Sequence, residues 1–550
     1  MRYFHIIWFI IGLFIHCDIK AQTGMWVWMK GDSTNNLFSA VYGTKNVAAS
    51  LNNPDGIYEG CEWKDKNGDF WLFGGVNGFN YENNSLWKYD INSNNWTWKA
   101  GANYNGGMAV YGTKGVPSVN NTPGARGWGI QCWVDTSGSL WLFGGYGMDA
   151  NGVQGCLNDL WKFDITTSEW TWMSGSKYKC SPGNSGTKGV SSPLNMPRAR
   201  NESNCTWVDK GNLWLYGGLD SVWNSLNDLW KYNISTNEWT WVWGSVNNNV
   251  APNFGVKGMV SPTNDPGGRF SYTKYNDGAG NFYFLGNGIS YPNSLLNDVW
   301  KYSLTNNDWT WMAGVNTVYY MGQYTIKCDT VAGDMPASKY EMRASWQHPS
   351  GLYFFGGIGN VSQYAVQNDL WHYNPKNNLY TWVSGGDSND PFVYGRYGTK
   401  GTPSNSNIPS ARTGSSAWTD NSGDLWLYGG LFWDTIGMNN WKFKNDLWKY
   451  SPNEDCIKSP ITTNTTSQDI LFDESIKIYP NPTKNKLNIS FNDDHQRTIT
   501  IMNVLGEDVL ILIVKNKDIT LETELLQNGL YFLEINKGSK LSVHKIIIHK

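Results

Sequence analysis

The sequence predicts an all-β protein: a six-bladed β-propeller with four strands per blade, followed by a small β-sandwich. Two observations carry the propeller. The chain of 550 residues is rich in strand and turn formers, with 32 Trp, 30 Tyr and 60 Gly, and aromatics make up 15 %. Four short aromatic and β-branched segments recur about every 70 residues. A third observation carries the sandwich: after Trp448 the tryptophans stop, and aliphatic alternation takes over.

One unit shows the pattern. Strand a holds Trp133-Val134-Asp135, and a turn follows at Ser137-Gly138. Strand b is Leu140 to Phe143 with Gly144-Gly145 behind it. Strand c is Asp159 to Phe163, and strand d holds Trp170-Thr171-Trp172. The glycine pair recurs from Gly74, Gly217, Gly356 and Gly429, with Gly286-Asn287 as a degenerate copy. The strand c indole recurs at Trp87, Trp161, Trp230, Trp300, Trp371 and Trp448. Strands a, b and c have six copies, but only five d strands follow them in order. The sixth stands at the other end of the chain, Trp26-Val27-Trp28-Met29. It is expected to close the last blade, so that the ring has no unpaired seam.

Before it, Arg2 and the apolar run Ile6–Ile15 predict an export signal over residues 1–21, cleaved between Ala21 and Gln22. Ten apolar residues are too few for a membrane span. Cys17 does not mark a lipoprotein, because His16 stands where a small residue is needed. Cleavage leaves seven cysteines, an odd number, so at least one thiol has no partner within the chain.

The glycine pairs, with an aromatic residue and a Trp seven positions later (Tyr89/Trp96, Phe163/Trp170, Tyr232/Trp239, Tyr302/Trp309), resemble kelch repeats of the galactose-oxidase-like propellers. The resemblance covers residues 25–450, and we set the propeller at 22–452. Kelch propellers host enzymes and binding modules alike, so it implies a fold and no activity.

A Ser/Thr-rich linker, 453–473, leads to a C-terminal segment, 474–550. Tyr479-Pro480-Asn481-Pro482, Asn503-Val504-Leu505-Gly506, Gly529-Leu530-Tyr531 and the final strand ending in Lys550 resemble the C-terminal sorting domain of type IX secretion substrates. The resemblance implies passage through the periplasm to the outer-membrane surface or the extracellular space, with the type IX machinery as partner.

Net charge is −3 and charged residues are 16 %, which gives no field to hold nucleic acid. There is no CxxC pair and there are only 7 His, so no metal site or cofactor is expected. No catalytic set is recognised. His348 falls in an a–b hairpin and His372 on strand c, and they are not expected to meet. The Asp-x-x-Gly turns at Asp65, Asp135 and Asp420 read as hairpin geometry.

Arg126, Arg200, Arg269, Arg343 and Arg412 open strand a. Asp159, Asp228, Asp298, Asp369 and Asp446 open strand c. In the first blade Ile57 and Ser85 replace both charges together, which predicts an ion pair within each of the other blades across the glycine pair. The d–a connections are 22 positions long between Gly and Pro in four blades. Six lysines recur in register on them: Lys45, Lys114, Lys188, Lys257, Lys327 and Lys400. They are either local caps or candidate anion-binding groups. The variable b–c loops, on the same face, carry Phe79, Tyr81, Tyr146, Trp223, Tyr291, Tyr364 and Trp433 beside amide side chains, which suits a glycan or a protein segment.

The expected protein is therefore an exported, monomeric binding propeller recognising a glycan or an extracellular protein. An extracellular carbohydrate-active enzyme on the same scaffold is the alternative, and a structural surface-layer protein a third.

Overall fold

A computed structural model describes residues 23–34, 39–78, 82–288, 294–330, 333–359, 365–387, 393–433, 441–457, 476–503, 508–524, 526–537 and 540–550. The chain divides into two units, Met1–Ser459 and Pro460–Lys550. No helix of the described residues is long and apolar enough to cross a membrane.

Among the described residues the first unit contains six four-stranded antiparallel sheets. Their inner strands are Cys61–Lys64, Gln131–Val134, Thr206–Asp209, Thr273–Asn276, Ser345–His348 and Ser416–Thr419. Each touches the next, and the last touches the first, which closes a ring. The closing sheet takes its outer strand from the start of the chain. Trp26–Lys30 pairs with Leu447–Tyr450, with Trp26 opposite Tyr450 and Trp28 opposite Trp448, as the missing d strand predicts.

Aromatic residues hold sheet to sheet. Trp141 and Phe143 of strand b in the second sheet meet Tyr232 and Trp239 of the third, at 5.8 and 5.5 Å between ring centroids. Trp161, Trp170, Trp230 and Trp239 are fully buried. Edge-to-face pairs such as Trp161–Trp170, at 6.4 Å and 88°, place positive ring edge on negative face. The hairpin aspartates also serve packing: Asp65, Asp135 and Asp420 each accept the strand b indole N–H, of Trp71, Trp141 and Trp426, at 2.8 Å.

The predicted ion pairs form. Arg126–Asp159, Arg200–Asp228, Arg269–Asp298 and Arg412–Asp446 lie at 2.6–2.8 Å with almost no exposure. In the fifth sheet the expected Arg343 is not the partner. Lys339 pairs with Asp369 instead, and Arg343, four residues on, turns to Glu62. The glycine pair does more than leave a gap. Gly144 has φ +64°, and a Cβ there would stand 2.9 Å from the Arg200 carbonyl of the next sheet. Its own carbonyl accepts from Arg126 Nη1 at 3.1 Å.

The long d–a connections run along the outer edge of the following sheet. Gly115, Gly189, Gly258 and Gly401 donate their N–H to the carbonyls of Trp172, Trp241, Trp311 and Trp28 at 2.7–2.8 Å. Asn121, Asn195, Asn264 and Asn407 donate to Trp170, Trp239, Trp309 and Trp26 at 2.9–3.1 Å. Each connection thus occupies the open hydrogen-bonding edge of an outer strand, and its constant length follows from that task.

The second unit holds a three-stranded sheet (Lys477–Tyr479, Lys486–Ser490, Asp518–Glu522) and a four-stranded one (Asp508–Val514, Arg497–Asn503, Gly529–Lys537, Lys540–Ile548). Leu487, Ile489, Ile499, Ile501, Leu533 and Ile546 are among its buried core residues.

Candidate functional site

The six recurring lysines sit on the outer rim. Each ammonium lies over an outer-strand indole, at 4.3–5.3 Å from the ring centroid, on Trp98, Trp172, Trp241, Trp311, Trp382 and Trp28 in chain order. Lys114, Lys188 and Lys257 also donate to Gly175, Gly244 and Gly314 carbonyls. Partial burial lowers the pKa of Lys114 and Lys257. The lysines therefore clamp loops to six different edges instead of gathering on one face, because the connections wrap outward.

The b–c connections extend into small hairpins. Tyr146–Met148 pairs with Gln154–Cys156 and with Arg126–Gly127, and Leu431–Trp433 pairs with Trp441–Phe443. Of the candidate aromatics, Tyr146 is half-buried in the first hairpin. Trp433 lies opposite Trp441 in register. Phe79, Tyr81, Tyr291 and Tyr364 lie outside the described residues.

Trp223 stands out with 47 % of its surface exposed. Its loop is tied down by Asp220, whose Oδ1 accepts the N–H of Val222 and of Asn224 at 3.0 Å each. Asn248 donates to Asp220 Oδ2 at 2.9 Å, and Asn249 to Asn224 at 2.8 Å. The result is an exposed aromatic carried on a tied-down, amide-rich loop. A pocket of about 280 Å³, lined by Cys180, Pro182, Arg198, Asp220 and Ser221 among others, adjoins the loop.

The ring axis holds a cluster that sequence reasoning overlooked. Two residues after the strand a cation register stand Glu59, Trp128, Glu202, Glu341 and Gly414, all with φ of 53–62°. Glu59 N–H bonds the Gly414 carbonyl at 2.8 Å, Glu202 N–H bonds Trp128 at 2.9 Å, and Gly414 N–H bonds Glu341 at 3.3 Å. This belt brings one carboxylate oxygen each of Glu59, Glu202 and Glu341 within 4.8 Å of one another, from three different sheets. Tyr272 donates its hydroxyl to Glu202. Arg343 gives Nε and Nη2 to Glu62 at 3.2 and 2.7 Å.

Burial raises all three carboxyls, and the neighbouring acids add to it. Glu202, beside Glu341, and Glu341, beside Glu59, are each pushed to about 8, and Glu59 is held well above the usual carboxylate range. Arg343 opposes this for Glu59 and Glu202. Beyond Glu62 the inner strands of all six sheets enclose a cavity of about 490 Å³. At its rim, burial lowers Lys274 to about 8. The missed signal was a register. Placing Lys339, not Arg343, in the cation column sets three glutamates in one column.

The two histidines do meet. Ser350 Oγ stands 2.7 Å from His348 Nδ1 and 3.0 Å from His372 Nε2. The hairpin folds Ser350 back between strand a and strand c, which spacing alone does not reveal. Burial pushes His372 down to about 3.

Residues 477–549 match the family model of the secretion system C-terminal sorting domain. Residues 208–240 match the Kelch motif, from the end of strand a to strand d of the third sheet. The chain thus carries a Kelch motif in its propeller and a type IX secretion sorting domain at its C-terminal end. The sorting domain indicates export to the cell surface or the extracellular space and implies contact with the type IX machinery. A solved structure described as "Structure of YjhT" is 14 % identical over 74 % of this chain and 95 % of its own, with a TM-score of 0.41. No curated protein matches the chain.

Within the propeller, disulfides join Cys61 to Cys132 and Cys328 to Cys456. Among the described residues Cys156, Cys180 and Cys205 are free, and burial raises the buried Cys156 and Cys205 to about 12.

Proposed function

We propose that this exported propeller, led out by a signal over residues 1–21, binds a glycan or an extracellular protein on the face formed by its b–c hairpins. The observation that supports this reading best is Trp223, an indole half open to solvent on a loop pinned by Asp220, to which Asn224 and Asn248 also bond. A fixed aromatic face stacks on a sugar ring or a planar peptide group with little ordering cost, and amides beside it read hydroxyls or backbone. The test is a glycan and peptide array probed with the wild type and Trp223→Ala. The variant should lose about 1–3 kcal/mol of binding while its melting temperature stays unchanged. An equal loss of melting temperature with no loss of ligand would make Trp223 a packing residue.

A second reading, a carbohydrate-active enzyme, draws on the axial carboxyls. Two acids held near 8 are poised for proton transfer at neutral pH. Reducing-sugar assays on the same samples, with Glu202→Gln as control, separate the two readings.

A further inference from the structure

We propose that Glu59, Glu202 and Glu341 form a calcium site on the axis of the propeller. Glu59 is fully buried, yet neither of its carboxylate oxygens accepts a hydrogen bond of full geometry: the Tyr58 and Tyr272 hydroxyls lie near it without completing one. An unsatisfied buried carboxylate is costly, and here it is aimed at two others, with oxygens within 4.8 Å. Tyr272 serves Glu202, and Thr413 serves Glu341 at 3.3 Å, so two of the three acids have a donor at bonding geometry and Glu59 does not.

Nearby, Arg343 is 2 % exposed and has Nη1 without a partner. Its charge is already committed to Glu62 through the other nitrogens, so it does not neutralise three carboxylates. It can donate to a carboxylate oxygen that an ion leaves unused.

The donor set is oxygen only, which selects a hard cation. Ca²⁺ takes oxygens at about 2.3–2.6 Å in flexible geometry, so three oxygens spread evenly around it stand about 4.0–4.5 Å apart, inside the 4.8 Å limit that these three obey. Mg²⁺, at about 2.0–2.1 Å, demands near-octahedral ligands and dehydrates reluctantly, which suits three carboxylates from three separate sheets less well. Glu341 is only partly buried and gives the ion a way in. Its structural task follows from the belt. The ligands come from the first, third and fifth sheets, so one ion ties alternate blades across the axis.

The test uses the full mature chain, stripped with a chelator and titrated with CaCl₂ by calorimetry and thermal melting, with metal content read by mass spectrometry. One equivalent of calcium should bind and raise the melting temperature. Glu59→Gln and Glu202→Gln should each weaken binding by about 10- to 100-fold or more. Glutamine matches the shape of an uncharged carboxyl and carries no buried charge, so the calcium-free melting temperatures of both variants should not fall below the wild type; this shows that they fold. MgCl₂ at the same concentration should give little response. The proposal is overturned if no calcium binds, if calcium binds unchanged in both variants, or if magnesium binds as well as calcium.

Discussion

The rim and the axis of the propeller are built on opposite rules. On the rim every blade repeats itself: a lysine over an indole, and a loop N–H on that same tryptophan's carbonyl. At the axis the register two residues past the strand a cation reads Glu, Trp, Glu, Glu and Gly in five of the blades, and the alternation of acids is the whole content of the cluster. A residue that recurs in each blade answers a need that each blade has, an edge to cover or a charge to pair. A residue that departs from the column answers to something that occurs once.

That contrast can be broken or sharpened by substitution. The largest effect belongs to the repeated ion pair. Arg200→Met leaves Asp228 buried and unpaired and should cost about 3–5 kcal/mol in denaturant unfolding. Arg200→Ile with Asp228→Ser, the pair that the first blade carries naturally, should recover most of it. If the double variant is as unstable as the single one, the pair does more than neutralise itself.

A smaller effect tests a departure that lies away from the axis. His372 occupies the strand c position where other blades carry lysine, at Lys88, Lys162, Lys231, Lys301 and Lys449. Its folded pKa of about 3 lies below the unfolded value. The unfolded chain therefore takes up the proton first, and stability falls as pH drops from about 6.5 toward 3. From pH 7 to pH 5 this one group should remove about 2 kcal/mol. His348 and Ser350 face it, and burial lowers His348 as well, so His372→Gln should flatten the slope more than His348→Gln does. Parallel pH–stability curves for all three proteins would dismiss the assignment.

The smallest effect is on the rim. Lys188→Met keeps the stem but loses the ammonium over Trp241 and its bond to Gly244. It should cost about 0.5–1 kcal/mol and leave ligand and ion binding untouched. A loss of ligand binding would move the lysines from the edge to the functional face.

The fold was readable because six copies of one packing problem overlay each other. Even the closing strand announced itself, as a missing sixth Trp-Thr-Trp at one end and a spare Trp-Val-Trp at the other. The ion pairs were readable because the first blade lost both partners at once. The course of the d–a loops was not, since constant length says that a loop packs without saying on what. The glutamates escaped for a local reason. Met342 and Arg343 follow closely on Lys339, and matching cation to cation by residue type chose the wrong one and shifted Glu341 out of its column. The Ser350 bridge escaped because it depends on how tightly one hairpin turns.

The seam at Trp26–Lys30 fixes an order of events. Five sheets are made from contiguous chain and can pair as soon as their own residues meet, but the sixth needs a contact such as Asp32 with Asn445, 413 residues apart. Joining ends so distant adds little free-energy cost, since each doubling of loop length adds only about 0.6 kcal/mol. It does add delay, because non-local pairing comes late. Until then Leu447–Tyr450 is an open aromatic edge, and the first strand of any neighbouring chain fits it as well as its own. Refolding at high protein concentration should therefore yield molecules that have exchanged first strands, and dilution should restore the closed ring.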